Sequence, residues 1–485
     1  MRDWKEWSTA ADKVTKADKV TTIDKREKSK PISKQKLIRS KNKPPAARSG
    51  ALFLLGESEA SRDDLSVLID RYLTAHDLID RRDRALLTEL VYGIFRQRGY
   101  LDWQIDQFSR VSLQPAIRNI LRLGLYQLLF LTKIPPSAAV NTSVELAKAA
   151  QGIAAGRLVN GLLRNVLRQK NALPTPDLKR DPAAYLAVTT SHPEWMVRRW
   201  LDRWGFEKTE VLCRLNNEIP PTTLRANRLK IDRDALARRL QEEGATVSSA
   251  ALLSDALFLK GVSVSSLRAY REGLFYVQDE GAQLISYLVD PQPGEEILDY
   301  CAAPGGKTSH LAELSGGKGR ITATDLDRGR IALTRENLGR LQTPGVSVEP
   351  LDQATAANRR YDRILIDAPC SSLGILRRIP EGKWRKKPTI ISDDVQEQRT
   401  ILEGALPHLK VGGRLIYATC STEPEENEAQ AAAFEAAHPE LTREDPRESL
   451  PAPARRYVDA QNQFTTRFNS DKMDQFFAVR WVKVR

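Results

Sequence analysis

Two cysteines stand just past apolar runs in the second half of the chain: Cys370 in Asp367-Ala368-Pro369-Cys370-Ser371 and Cys420 in Thr419-Cys420-Ser421. A thiolate is a soft nucleophile suited to reversible addition to an electron-poor carbon. Upstream, Asp299-Tyr300-Cys301-Ala302-Ala303-Pro304-Gly305-Gly306-Lys307-Thr308 is a turn of small residues that lets a ligand approach the backbone and the start of a helix. It is no phosphate loop: Cys301 stands where a Walker sequence needs glycine, and G-x-G-x-x-G is absent. Asp325 follows 19 residues after Gly306, where a carboxylate accepts hydrogen bonds from ribose hydroxyls, and Asp352 ends a third run, placed for an adenine edge. A tight turn with two strand-end carboxylates describes a nucleoside site without pyrophosphate, as S-adenosylmethionine would need. Thiols beside a methyl donor suit C5 of cytosine, which is a poor nucleophile until sulfur adds at C6 and N3 gains a proton. Asp367 near N3 would supply that proton sharing. A second thiol would help remove the C5 proton and expel the first. Spacing leaves open which cysteine attacks.

These residues need a frame that brings distant segments to one edge. Strands are expected at 297–300, 320–324, 346–351, 363–367, 414–418 and 476–482, with helices at 307–314, 328–341 and 395–409. Alternation of this kind predicts a parallel doubly wound sheet with donor and acceptor at its carboxyl edge. Residues 51–175 instead show helical periodicity in Leu86, Leu87, Leu90, Val91 and Ile94 and again in Ile117, Ile120, Leu121, Leu125 and Leu128. Gly124, Pro135-Pro136 and Gly152 are read as falling between helices. Arg96, Arg98, Arg157, Arg164, Arg168 and Lys170 are either RNA contacts or solvated helix faces. Residues 176–272 read as a small α+β connector: a strand at 221–227, a helix at 232–243 and a return strand at 256–259. His192 is expected to be a structural helix-entry residue, and Cys213 a core residue.

The chain has 485 residues, 75 Lys+Arg against 62 Asp+Glu, and a formal charge of +13. Residues 1–50 hold 15 basic and 6 acidic residues, so this arm carries +9 of that excess and has little apolar surface to bury. It is expected to be disordered, either a solvated tail with no specific role or an arm that binds phosphates without sequence preference. Four cysteines with no C-x-x-C spacing exclude a disulfide framework and a zinc site and point to a reducing compartment. With no apolar run of membrane-spanning length, the expectation is a cytoplasmic monomer with no metal and no membrane partner.

The strings DYCAAPGGKT at 299–308, DAPCS at 367–371 and YATCSTEPEENE at 417–428 resemble the bacterial ribosomal RNA cytosine-C5 methyltransferases of the RsmB (Fmu, Sun) type. RDRALLTELVYGIFR at 82–96, SHPEWMVRRW at 191–200, VQDEGAQ at 277–283 and RRIPEGKW at 377–384 extend the resemblance over residues 57–485. It implies an all-α NusB-like RNA-binding domain, the α+β connector and, over 273–485, a Rossmann-like class I S-adenosylmethionine methyltransferase domain acting on a single-stranded loop of 16S rRNA. By motif position it makes Cys420 the nucleophile and Cys370 the thiol assisting release. It assigns Cys301, Ala302, Ala303, Pro304, Gly305, Gly306, Lys307, Asp325 and Asp352 to the donor, and Asp367 to the boundary between donor and base. The same chemistry on tRNA or another rRNA site, and a non-catalytic RNA-binding factor, are the alternatives. Departures are Tyr300 for the usual Leu, Glu381 for Asp, and Asp474-Gln475-Phe476-Phe477 for Asp-Gly-Phe-Phe.

Deleting the basic arm should flatten the dependence of RNA affinity on salt while leaving the methylated nucleotide unchanged. Binding titrations at several salt concentrations, with mapping of the product, test this; a shifted target would give the arm a role in site choice.

Overall fold

A computed structural model describes residues 46–485 apart from 77–79, 357–358, 469–470 and 472. Most of the basic arm therefore lies outside the described residues. Six helices form the first domain: α1 (Ala46–Ala60), α2 (Leu65–Ala75), α3 (Arg81–Phe108), α4 (Pro115–Phe130), α5 (Pro136–Gln151) and α6 (Ile153–Arg168). α1 begins inside the stretch assigned to the arm and buries Ala47, Arg48 and Gly50, so a truncation that spares it stops at Pro45. Leu87, Leu90, Val91 and Ile94 of α3 and Ile117, Ile120, Leu121, Leu125 and Leu128 of α4 lie in one core, as their periodicity predicts. Gly124 is not an inter-helix glycine. It lies inside α4, where a Cβ would come within 2.7 Å of Leu163 and 2.8 Å of Ser143, so it permits close helix packing. Arg96 and Arg98 are not free to meet RNA: Arg96 is buried, and Arg98 stacks on Trp384 beside Glu59 and Asp102. Arg157, Arg164 and Arg168 on α6 do face solvent.

Two helices, α7 (Pro182–Thr189) and α8 (Glu194–Asn217), lead on to the connector. There β1 (Thr222–Ala226), α9 (Arg233–Glu242), β2 (Thr246–Ser249), β3 (Ala256–Lys260), α10 (Arg268–Arg271) and β4 (Phe275–Val277) follow in β-α-β-β-α-β order, with the strands arranged 2-3-1-4. β4 lies beyond the boundary expected at 272, because its pairing partner is β1. His192 is buried before α8, with Nδ1 2.8 Å from the Thr190 carbonyl, and Cys213 is in the core.

The last domain contains α11 (Glu280–Val289), β5 (Glu296–Asp299), α12 (Gly306–Leu314), β6 (Arg320–Ala323), α13 (Arg328–Leu341), β7 (Val346–Val348) and α14 (Leu351–Ala354). It continues through β8 (Tyr361–Asp367), α15 (Gly382–Arg385), α16 (Ile390–Ala405), β9 (Leu409–Thr419), α17 (Glu428–Ala437), β10 (Leu441–Arg443), β11 (Phe464–Thr465) and β12 (Phe477–Lys483). The sheet runs β10-β12-β9-β8-β5-β6-β7, and β11 adds to β12. β7, β6, β5, β8 and β9 are parallel, but the pairings of β12 are antiparallel, so the sheet is mixed and not wholly parallel. β12 runs against the parallel strands, pairing antiparallel with β9, β10 and β11, whereas β10 is reached from β9 through α17 and keeps the direction of β9. Asp352 does not end a strand. β7 stops at Val348, and Asp352 is exposed in the first turn of α14 after Pro350. No helix among the described residues is long and apolar enough to cross a membrane.

The RRIPEGKW segment joins the three domains. Lys383, fully buried, donates to the carbonyls of Arg96 at 2.9 Å and Ser191 at 2.8 Å and to Asn217 Oδ1 at 2.8 Å. Trp384 Nε1 donates to the Phe95 carbonyl at 2.7 Å, and Glu381 Oε1 accepts from Leu65 N at the start of α2 at 2.9 Å. Lys383→Met leaves three acceptors without their donor at about 1–3 kcal/mol each and should cost about 3–5 kcal/mol in denaturant unfolding; a loss below about 1 kcal/mol refutes this junction. Burial pushes the Lys383 pKa down to about 7. Its unfolded value is about 10.4, so above pH 7 the unfolded chain holds more protons and stability rises toward pH 10. That rise should be absent in the variant.

Candidate active site

β5 lies where the chain's crossovers diverge, with β6 on one side and β8 on the other, which opens a crevice at its carboxyl end. The small-residue loop fills that place. Gly305 has φ +94°, a left-handed conformation that favours glycine, and α12 starts at the next residue. A Cβ on Gly306 would sit 2.6 Å from the Tyr276 ring. Asp325, buried after β6, accepts from Ala303 N at 3.2 Å and Asp327 N at 3.1 Å, so its carboxylate helps to shape the loop. Asp299 is wholly buried. Its Oδ2 accepts from Thr308 Oγ1 at 2.7 Å, its Oδ1 has no partner among the described residues, and burial pushes its pKa up to about 7.

Arg225 is a residue that the sequence reading passed over. It projects from β1 of the connector with no exposed surface and donates to the Gly306 carbonyl, Ser309 Oγ and Glu313 Oε1, each at 2.7 Å. The connector thereby holds the first turn of α12. A lone arginine in a short extended run gives no signal of such a role.

On the other side of β5, Lys307, Asp367, Cys370 and Cys420 gather. Asp367, ending β8, forms an ion pair with Lys307, whose ammonium also lies over the Phe476 ring at 5.4 Å. Burial works against the ammonium, but the Asp367 charge and hydrogen bond outweigh it and raise the Lys307 pKa. β8 and β9 pair with Asp367 opposite Ala418, and their extensions bring Cys370 Sγ and Cys420 Sγ to 3.4 Å. The hydrogen bond to Cys420, reinforced by burial, holds Cys370 well above the ordinary thiol range. Gly374 fixes the floor: its N–H donates to the Cys420 carbonyl at 2.9 Å, and a Cβ there would lie 2.4 Å from the Gln475 carbonyl. Cys301 lies instead in the small-residue loop after β5, and Asp352 is exposed at the start of α14.

The remaining motifs brace this site from outside. Glu423, fully buried, accepts from Arg199, Trp200 and Arg203 of α8, and Arg199 and Arg203 hold its pKa low despite burial. Arg377 and Arg378 pair with Asp279 and Asp474, with Arg377–Asp474 at 2.6 Å and Arg378–Asp279 at 2.7 Å. Burial, with Asp474 alongside, pushes Asp279 up to about 6.

Residues 286–481 match the family described as 16S rRNA methyltransferase RsmB/F, residues 45–168 the NusB family, and residues 192–265 the ferredoxin-like domain of RsmF/B-like methyltransferases. The probable ribosomal RNA small subunit methyltransferase B of Bacillus subtilis is 37% identical over 405 residues, covering 82% of this chain and 90% of its own. The ribosomal RNA small subunit methyltransferase B of Cronobacter sakazakii is 39% identical over 363 residues, covering 73% and 82%. Among solved structures, PH0851 aligns with a TM-score of 0.76 at 27% identity over 91% of this chain and 99% of that one. A methyltransferase homolog protein from Pyrococcus horikoshii aligns at 0.53 and 27% identity over 62% and 99%. With an N-terminal NusB domain, a ferredoxin-like middle domain and a mixed-sheet domain carrying paired thiols, the chain belongs to the RsmB/F family of 16S ribosomal RNA methyltransferases.

Proposed function

We propose that this protein methylates C5 of a cytosine in 16S rRNA with S-adenosylmethionine, through a covalent bond between Cys420 and C6 of the base. The observation that carries this reading is the pair of thiols 3.4 Å apart at neighbouring strand ends, next to the Lys307–Asp367 ion pair. The donor loop suits S-adenosylmethionine on its own chemistry. The unpartnered Asp299 oxygen is an acceptor for an ammonium group, and Asp325 keeps lone pairs for ribose hydroxyls. Cys301 to Lys307, with Asp352 at the same edge, would complete its surroundings. Bound there, S-adenosylmethionine supplies an electrophilic methyl group.

The protein's own groups do the rest. Held protonated, Cys370 donates toward Cys420, which leaves the Cys420 sulfur as the nucleophile. Cys420 gives up its proton as its sulfur adds at C6, and Asp367, steadied by its ion pair with Lys307, would help that proton reach N3 of the base. Electron density then reaches C5, where the methyl group is accepted. Once the Cys420 sulfur is bonded to carbon, its hydrogen-bond hold on Cys370 is gone. Cys370 can then give its proton to solvent, and the thiolate so formed takes the C5 proton as the C6–sulfur bond breaks and Cys420 leaves as a thiolate. A base inside a duplex cannot enter such a site, so a single-stranded or extruded cytosine is the substrate. The solvent-facing Arg157, Arg164 and Arg168 of α6 would meet the flanking RNA backbone.

Labelled S-adenosylmethionine with unmodified small-subunit rRNA should place label at cytosine C5, located by bisulfite sequencing. Cys420→Ala should abolish turnover, and Cys370→Ala should leave protein covalently trapped on RNA. Equal trapping by both variants refutes the division of labour, and absence of label in the base refutes the reaction.

A further inference from the structure

The reaction above uses two thiols and an ion pair, but a fully buried acid behind the thiols belongs to neither. Glu426, with no exposed surface, lies behind both cysteines, and no ion pair to it is found among the described residues. Its Oε1 accepts from the backbone N–H of Ser371 at 2.7 Å and from Gln398 Nε2 at 3.2 Å. Its Oε2 accepts from the hydroxyls of Ser371 and Ser421, which lie 3.0 Å from each other. Ser371 follows Cys370 and Ser421 follows Cys420. One carboxylate therefore holds the residue after each thiol. Gln398, from α16, also donates to the Pro369 carbonyl at 3.0 Å, on the other side of Cys370. Tyr417, two strand positions before Thr419, places its hydroxyl 2.6 Å from the Glu426 carbonyl and 2.9 Å from Gln398 Oε1, with one O–H to serve either acceptor.

We infer that Glu426 is a positioning residue that sets the distance between Cys370 and Cys420, and that turnover depends on this clamp. Without it, the two loops keep the sheet register, the Gly374 contact, the Ser371–Ser421 hydroxyl pair and the thiol contact itself, none of which is anchored by a group that grips the residue after each cysteine. The charge matters as well as the shape. Four donors converge on the two oxygens, which a carboxylate can accept and an amide, with one acceptor oxygen and two further N–H donors, cannot. A buried carboxylate ringed by neutral donors is costly to maintain, and burial raises the Glu426 pKa against those hydrogen bonds. Its negative field also contributes to keeping Cys370 protonated. Glu426 touches neither base nor donor in this arrangement; it acts through the two cysteines.

This inference rests on the proposed thiol chemistry, so the test has one readout that does not. Phenylarsine oxide condenses with two adjacent thiols to a cyclic dithioarsenite, releasing water, and holds only where the sulfurs are close. The full-length protein should capture it in a form that resists excess monothiol, and Cys370→Ala should not. Glu426→Gln, of the same size, should still fold cooperatively, with a lowered melting temperature, but lose stable capture. Its kcat on small-subunit rRNA should fall about 10- to 100-fold with KM unchanged, as expected for misplaced reacting groups. Glu426→Ala should behave likewise where it folds; Glu426→Gln decides where it does not. Unchanged capture in Glu426→Gln overturns the clamp, and unchanged kcat despite lost capture overturns its importance for turnover. A wild-type protein that captures the arsenical but puts no methyl group on cytosine C5 sinks the proposed reaction and leaves the clamp standing.

Discussion

A lysine ammonium taken out of water where three domains meet is the constraint on which the arrangement depends. Lys383 satisfies three acceptors, one from α3, one from the turn before α8 and one from the end of α8. None of the three is a carboxylate, so the attachment rests on hydrogen-bond geometry and burial and is insensitive to salt screening. A buried charge without that geometry would be expelled. The segment that supplies Lys383 also supplies Arg377 and Arg378, whose carboxylate partners lie at the N-cap of α11 and at Asp474 ahead of β12. One stretch of chain thus binds the helical domain outward and the catalytic edge inward.

The motifs that identify the family turn out to touch one another. YATCSTEPEENE meets SHPEWMVRRW through Glu423 and the arginines of α8, and VQDEGAQ meets RRIPEGKW through Asp279. Glu381, longer by a methylene than the usual aspartate, reaches across to the first residue of α2. The departure thus falls at a domain contact, away from the thiols.

Strand ends that present chemistry were legible because an apolar run stopping at a polar or small residue marks both the strand and its edge. Cys370, Cys420, Asp367 and Asp325 lie where that pattern puts them. Asp352 was misplaced because β7 is only three residues long and the run past it continues into a helix after Pro350. Strand direction was not legible at all: apolar patterning is the same for a parallel and an antiparallel strand, so β12 gave no hint of its return. Gly124 misled because glycine in a helix reads as punctuation unless its packing partner is known, and Leu163 is far away in sequence. Arg225, Lys383 and Glu426 were invisible as site-builders for a related reason. Their work is done by partners from other segments, and charge in a sequence carries no sign of burial.

The span between Lys383 and its acceptors has a consequence for how the chain is made. Lys383 is synthesised 287 residues after Arg96 and 192 after Ser191. The helical domain ends at Arg168, so at about 5–20 residues per second its synthesis is complete roughly 10–40 s before the lysine that fastens it exists. During that interval the Arg96 and Ser191 carbonyls and the first turn of α2 face water, and the domain is a free-standing unit on a growing tether. Assembly of the whole is therefore ordered in time by the sequence itself: each body forms alone, and the three become one only when the carboxyl-terminal third arrives.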